Sequence, residues 1–346
     1  MTESSGPQRC HERGLQADRD AAASTGTASL AARVPRELFM RDLPRCLRAI
    51  AGVWAGILLA WAAVGVFGVW ALLPAAVLIG TLQYQLNVMG HDGLHYLLSH
   101  NRVANDRVCR WLLHGPHGAP LGSMRRNHLS HHTAFGGASD LDRQYYDTRR
   151  FASGAAFTRW LWGSLAGGMT GPIVAKLLGL GGHNPAAETG QRAARVLPAP
   201  GRALDLLSVL LSQAWIAVVC ALITGWWFAY LPLWALPLVT VMMGLNSIRS
   251  CLEHARAGHG EPGLHSFKSN PLERFFLSPF HMNVHAEHHL VPAVPWHQLL
   301  ALRQHLQNVG DYERVTLFES YSERAAQLAG LITSAPQEPG PDPRLS

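Results

Sequence analysis

Histidine is concentrated in three short clusters of this sequence. They read His91-Asp92-Gly93-Leu94-His95, His128-Leu129-Ser130-His131-His132 and His285-Ala286-Glu287-His288-His289. Residues three and four apart share one face of a helix, so each cluster would present its imidazoles on one side. Imidazole binds zinc, copper, iron and nickel, and eight imidazoles exceed the four ligands of one tetrahedral ion. The clusters therefore predict a site for two metal ions.

The composition indicates a membrane protein. Of 346 residues, 48% are hydrophobic and only 15% are charged, whereas about 25% is usual in soluble domains. The net charge of +6 fits basic loops beside apolar spans. The sequence has no basic stripe with interleaved aromatics of the kind that would indicate nucleic-acid binding. The five cysteines form no C-x-x-C pair and have irregular spacing, which predicts no disulfide framework and fits a reducing compartment.

Two long stretches contain no charged residue, one between Arg48 and Asp92 and one between Asp205 and Arg249. Each has 43 residues, or about 65 Å of helix, which is twice the roughly 30 Å core of a bilayer. Each stretch is therefore predicted to be a helical hairpin, with turn signals at 70–74 and 230–232. The four predicted spans are 50–72, 74–90, 206–229 and 231–248.

Basic residues predict the orientation of these spans. Lys and Arg number 8 before the first hairpin, 13 between the hairpins and 8 after the second, with none inside. By the positive-inside rule, both termini and the central segment are cytoplasmic. All three clusters then lie on one side. The expected fold is an all-α integral membrane protein with two transmembrane helical hairpins and a cytoplasmic helical cap that carries the di-metal site.

The same reading divides the chain into three parts. Residues 1–45 are predicted to be a disordered cytoplasmic segment because they are rich in small, polar and charged residues. Residues 46–310 form the membrane domain. Residues 311–346 are expected to form a C-terminal helix followed by a disordered tail.

Residues around the clusters extend the pattern. Asn101-Arg102 and Asn105-Asp106 follow the first cluster, Asp140-Leu141-Asp142 follows the second, and the third lies in a stretch from Asn283 to Trp296 that ends in Pro292-Ala293-Val294-Pro295. With these features the chain resembles the membrane-bound fatty acid desaturase superfamily, whose members carry three histidine boxes and two membrane hairpins. The resemblance covers roughly 45–305.

The resemblance implies a di-iron centre with O₂ as co-substrate. Eight ligands carry over: His91, His95, His128, His131, His132, His285, His288 and His289. Members often use one more ligand between the fourth span and the third box. His254 is the candidate, with Glu253 and Asn246 as alternatives. Ligating histidines usually donate their other N–H to a carboxylate or carbonyl, so Asp92, Asp142 and Glu287 are expected to support the ligands. For Asp140, a supporting role and a solvated surface position are equally compatible with the sequence.

The resemblance further implies an O₂-dependent desaturase that introduces a double bond into an acyl chain or acyl lipid. The sequence has no Rossmann glycine fingerprint, no plant-type ferredoxin cysteine spacing and no fused haem domain. A separate ferredoxin or cytochrome, with its reductase, is therefore the expected electron donor. We expect the protein in the inner membrane of a bacterium, with its active site on the cytoplasmic side.

Three alternatives stay open at this point. A hydroxylase or ketolase of the same superfamily, acting on a lipid, a carotenoid or another apolar metabolite, would share the ligands. A zinc metalloprotease fits poorly because Asp92 stands where H-E-x-x-H needs Glu. A histidine-rich receptor or metal transporter fits poorly because ionisable residues are missing from the predicted spans.

Overall fold

The computed structural model describes residues 30–137, 140, 142–168, 201–256, 263–313 and 315–334. The helices of this part are α1 (Leu43–Phe67), α2 (Val69–Leu94), α3 (Arg102–Val108), α4 (Leu121–Ala134), α5 (Arg143–Tyr146), α6 (Gly154–Leu165), α7 (Arg202–Thr224), α8 (Leu231–His254), α9 (Pro271–Phe276), α10 (His285–Leu290), α11 (Leu299–Asn308) and α12 (Tyr321–Ser334). Short 3₁₀ turns occupy Arg36–Phe39, Thr148–Arg150, Pro279–Val284 and Trp296–Gln298. Most of the predicted disordered ends, 1–29 and 335–346, lies outside the described residues.

Four helices are long and apolar enough to cross a membrane, as predicted. They are α1, α2, α7 and α8, with 25, 26, 23 and 24 residues. Helix α1 begins earlier than the predicted 50, because the Asp42 side chain caps it at the backbone N–H of Arg45 (2.9 Å) and Pro44 occupies its first turn. The stretch without charged residues therefore predicts the apolar part of this helix but not its first turns, which carry charged residues.

The turn of the first hairpin lies at Gly68, ahead of the predicted turn at 70–74. Gly68 has φ 61°, a conformation that glycine adopts without steric cost. Pro74 lies inside α2 instead, close to the exposed tip of the hairpin. Trp70 at this tip and Trp227 at the tip of the second hairpin are each 88% exposed, as expected for aromatic rings at a membrane interface.

Tryptophans join the two hairpins. Trp61 of α1 is fully buried and its Nε1 donates to the carbonyl of Leu233 in α8 (3.3 Å). Trp54 stacks on Trp234 with ring centroids 5.6 Å apart. The central segment also enters this contact, because Trp234 Nε1 donates to the carbonyl of Pro116 (3.2 Å). The chain before Pro116 is a π-helical turn, Cys109–His114, that continues α3.

We call the remaining helices of the described part the cap; they include α4 and α10, which carry the second and third histidine clusters. The prediction of an all-α fold misses one feature here, a parallel pair of strands, β1 (His265–Phe267) and β2 (Thr316–Phe318). Three-residue strands are too short to show an alternating pattern in a sequence. The pair places Phe267 against Tyr321, with ring centroids 3.8 Å apart, and so fixes the start of α12 next to the end of α8.

Candidate metal centre

The ends of four helices bring the histidine clusters together. The first cluster closes α2, with His95 directly after its last residue. The second lies in the last two turns of α4, and the third forms most of α10. His254 is the last residue of α8. Each cluster thus presents its imidazoles from one helix face, as the spacing predicted.

Five imidazoles form what we call the first imidazole group: His91, His95, His128, His132 and His288. One ligand atom of each lies within 4.8 Å of the others. The Nε2 atom of His128 is 2.8 Å from Nε2 of His95 and 3.1 Å from Nε2 of His132. The His91 ring completes the group, with its centroid 4.3 Å from that of His128.

Four further imidazoles form the second imidazole group: His131, His254, His285 and His289. The Nε2 atom of His285 is 2.9 Å from Nε2 of His254 and 3.1 Å from Nε2 of His289. The ring centroids of His131 and His254 are 4.9 Å apart. The structure therefore brings together the eight predicted cluster histidines and the ninth candidate, His254.

The contacts between these nitrogens suit bound cations. A ring nitrogen carries at most one proton. His128 Nε2 can therefore form ordinary hydrogen bonds with both neighbouring nitrogens only if both neighbours donate to it. The same holds for His285 Nε2 and its two neighbours. A metal ion shared by converging lone pairs removes this conflict. Nitrogens with two such neighbours occur in both groups, at His128 and His132 in the first and at His285 in the second, which fits two ions.

Burial keeps these imidazoles in the neutral form that metal ligation needs. Desolvation and the neighbouring imidazoles lower the pKa well below 6.5 for His128, His132, His285, His288 and His289. For His95, burial together with Arg125 and His131 lowers the pKa to about 4. At neutral pH these side chains offer lone pairs and carry no charge that would repel a cation.

Comparison with protein families agrees with this geometry. The family model described as fatty acid desaturase matches residues 68–321, about three quarters of the chain, and the match includes both imidazole groups. The chain belongs to the fatty acid desaturase family. It is accordingly a membrane protein of an oxidoreductase family, which favours that class over a metalloprotease or a transporter. The comparison with curated proteins found no match.

Within this desaturase-family site, Asp140 orients an imidazole of the second group. His131 Nδ1 lies 3.0 Å from Asp140 Oδ1, so that His131 donates from Nδ1 and keeps Nε2 for the centre. Tyr146 and the backbone N–H of Gly136 donate to the same carboxylate. Burial alone would raise the pKa of Asp140, but these hydrogen bonds outweigh it and lower the pKa below its ordinary value.

The three carboxylates expected to support the ligands make their hydrogen bonds with other groups, and Asp92 also lies beside His91. Asp142 donates its backbone N–H to Asp140 (2.9 Å). Asp92 Oδ2 accepts the backbone N–H of Trp296 (2.8 Å), and its Oδ1 is 3.8 Å from His91 Nδ1. Glu287 is fully buried and accepts from Arg303 (2.5 Å) as well as from Tyr312 and Ser266. Asp92 and Glu287 therefore tie the histidine-bearing segments to the cap.

Glu253 is the carboxylate that lies closest to the second group besides Asp140. Its Oε2 is 3.6 Å from His285 Nε2, and it could join His254 and His285 around an ion. Arg249 Nη1 donates to Oε2 (2.5 Å) and the Tyr321 hydroxyl donates to Oε1 (2.7 Å). The sequence hinted at this role only by the position of Glu253 next to His254.

The first histidine cluster is held by close packing against the central segment. A Cβ at Gly93 would lie 2.2 Å from Cys109 Sγ, so only glycine fits at this position. The carbonyl of Gly93 accepts from Asn105 (2.9 Å) and from Arg125 (3.0 Å). Because Arg125 belongs to α4, it connects the end of α2 to the helix that carries the second cluster.

Proposed function

We propose that the chain is an O₂-dependent di-iron desaturase that introduces a double bond into the acyl chain of a membrane lipid or related substrate. The observation that carries this proposal is the convergence of nine imidazoles in two groups at the end of apolar spans. Family membership supports an oxidoreductase acting on a lipid.

The ligands are assigned by group. His91, His95, His128, His132 and His288 would hold one iron ion, and His131, His254, His285 and His289 would hold the other. Imidazole is a suitable donor for iron. When bound, the two ions would supply the reductive activation of O₂ that removes hydrogen from an unactivated C–H bond.

The protein's own contribution is position and exclusion of water. Buried, neutral imidazoles keep the centre open to cations. Asp140 fixes the tautomer of His131, and the packing at Gly93 fixes the end of α2. A substrate that enters from the bilayer meets the centre where α2 and α8 end, and orientation there can lower the barrier by several kcal/mol.

The remaining parts of the proposal concern location and electrons. The distribution of Lys and Arg supports a cytoplasmic location of the centre. The membrane of the proposal is a bacterial inner membrane. Electrons would come from a separate ferredoxin or cytochrome with its reductase. Basic residues on the cap side support an acidic donor.

Expression of the chain in a host membrane with a ferredoxin and its reductase tests the proposal. Metal analysis of the purified protein should find two iron ions per chain. Lipid mass spectrometry should find products that have lost two hydrogen atoms. Products that have gained one oxygen atom would instead identify a hydroxylase of the same superfamily. A single zinc ion per chain, together with an unchanged lipid profile, would contradict both readings.

A further inference from the structure

A line of partly accessible residues leads along two spans to the imidazole groups. In α2, every residue from Ile79 to Leu94 is buried except Asn87. In α8, every residue from Met242 to His254 is buried except three: Met243, Asn246 and Ser250. We call these four residues, Asn87, Met243, Asn246 and Ser250, the amide seam. Two of the four are asparagines within transmembrane helices.

The spacing of the seam points it at the centre. Met243, Asn246 and Ser250 are three and four residues apart, so they share one face of α8, and the next residue on that face is His254. Asn87 precedes His91 by one helical turn, about 6 Å along the axis. Asn246 precedes His254 by about 12 Å. An apolar molecule along the seam would thus pass both asparagines just before the imidazoles.

The two asparagines bind each other and little else. Asn87 Nδ2 donates to Asn246 Oδ1 at 3.2 Å, and their other amide atoms have no hydrogen bond within the described part of the chain. Neighbouring amides in α2 are tied to the protein. Gln83 donates to the carbonyl of Trp234 (3.0 Å), and Gln85 donates to that of Phe275 (3.1 Å).

Unused amide donors and acceptors at membrane depth are costly unless something binds them. The nearest charged side chain along α8, Arg249, is already paired with Glu253 at 2.5 Å. The seam therefore offers neutral donors and acceptors and no free charge. This chemistry suits a hydroxyl, ketone or ester oxygen and disfavours a carboxylate or phosphate.

We propose that Asn87 and Asn246 bind a neutral oxygen group of the substrate and thereby place a carbon atom several bonds away from that group at the imidazoles. This inference rests on the proposed function and narrows its substrate class. The substrate is an apolar chain or ring system that carries a hydroxyl, ketone or ester group, and the reacting carbon lies about 6–12 Å from this group, which is the distance from the two asparagines to the imidazoles along the helix axes.

Three probes of equal chain length test the seam: 1-hexadecanol, methyl palmitate and hexadecane. Each is added to the purified protein, with the metals it carries, in dodecyl maltoside micelles and without any reductant. A ligand that binds the native state raises the midpoint of thermal unfolding. We expect the two oxygenated probes to raise the midpoint by roughly 2–4 °C more than hexadecane does.

Three variants complete the test. Asn87→Leu and Asn246→Leu should each abolish the difference between oxygenated and hydrocarbon probes. Gln85→Leu makes the same change two residues away at an amide already tied to Phe275, and it should keep the difference. No difference in the wild-type protein overturns the proposal, and this comparison needs no variant to fold. A difference that survives in either Asn variant, or that also disappears in Gln85→Leu, overturns it as well.

The readout is independent of catalysis. The iron content and the lipid products decide the proposed function, whereas the probe preference decides the role of the seam. A protein without iron would contradict the former and could still discriminate between the probes.

Discussion

The two imidazole groups are supported in different ways. The first consists of imidazoles that contact one another, and its nearest carboxylate oxygen, that of Asp92, lies 3.8 Å from a ring nitrogen. The second has Asp140 hydrogen-bonded to His131 and Glu253 at 3.6 Å from His285. The second group is therefore oriented by anionic partners, while the first depends on backbone packing. The two ions would experience different electrostatic fields within one site.

The supports of the second group also extend further through the protein. Glu253 connects it to Arg249 in the same helix and to Tyr321 at the start of α12. The supports of the first group are the tight contact of Gly93 with Cys109 and the hydrogen bonds of Arg125 to the end of α2. Substitutions can therefore disturb one group at a time.

The largest effect is expected from removing a central imidazole. His128→Ala removes a nitrogen with two close neighbours in the first group, and His285→Ala removes one in the second. Desaturation should fall to background in both variants, and bound iron should fall from two ions toward one per chain. Lipid analysis and metal analysis measure these changes.

His297→Ala, outside both groups, should keep both iron ions and nearly full activity. Loss of both ions in each single variant would show that the two groups are one inseparable site.

A smaller effect, on stability, is expected from Glu253→Gln. This change leaves the buried Arg249 without its counter-charge, and breaking a buried pair costs about 3–5 kcal/mol. Denaturant or thermal unfolding in micelles measures the loss. Glu319→Gln is the matched control, because its ion pair with Lys268 is exposed and worth at most about 1 kcal/mol. Equal effects of the two changes would refute the role given to Glu253.

Asp140→Asn should weaken iron binding in the second group alone. Loss of a carboxylate that orients a ligating histidine lowers metal affinity by about 10–100-fold. Competition with an iron chelator should then release one ion per chain ahead of the other. Tyr146→Phe removes only one donor to Asp140 and should have a weaker effect in the same direction. Unchanged chelator curves for Asp140→Asn would contradict the difference drawn between the groups.

Gly93→Ala is the corresponding change for the first group. The added methyl group would meet Cys109 Sγ, and overpacking of this kind costs about 1–3 kcal/mol. We expect lower iron occupancy in the first group and a lower unfolding midpoint. The double variant Gly93→Ala/Cys109→Ala relieves the clash and should recover most of both losses. If adding Cys109→Ala lowered the iron occupancy or the unfolding midpoint further, packing at Gly93 would not be what positions the first histidine cluster.

Much of this site could be predicted because its determinants are local in sequence. The spacing of each histidine cluster requires only a helix, and the four spans follow from runs without charge. The position of Gly68 at the first turn could not be read in this way, because Trp70 to Pro74 carries equally good turn signals. His254 was reached only through the family resemblance, since a single histidine has no spacing to interpret.

The supporting contacts were harder to predict because they join distant segments. Asp140 and Asp142 follow the second cluster at similar distances, and only the folded loop decides which carboxylate faces His131. The partnership of Glu253 with Tyr321 depends on the β1–β2 pair, whose short strands leave no periodic signal. Neither hydropathy nor helical spacing contains this information.

The hydrogen bond between Trp296 and Asp92 spans 204 residues and has a consequence for biosynthesis. Both hairpins precede Trp296 in the sequence, so they are synthesised before this contact can form. The Tyr321 hydroxyl, which completes the surroundings of Glu253, emerges later still. If the protein holds two ions as proposed, their loading would be completed only after the segments that carry Trp296 and Tyr321 have been synthesised.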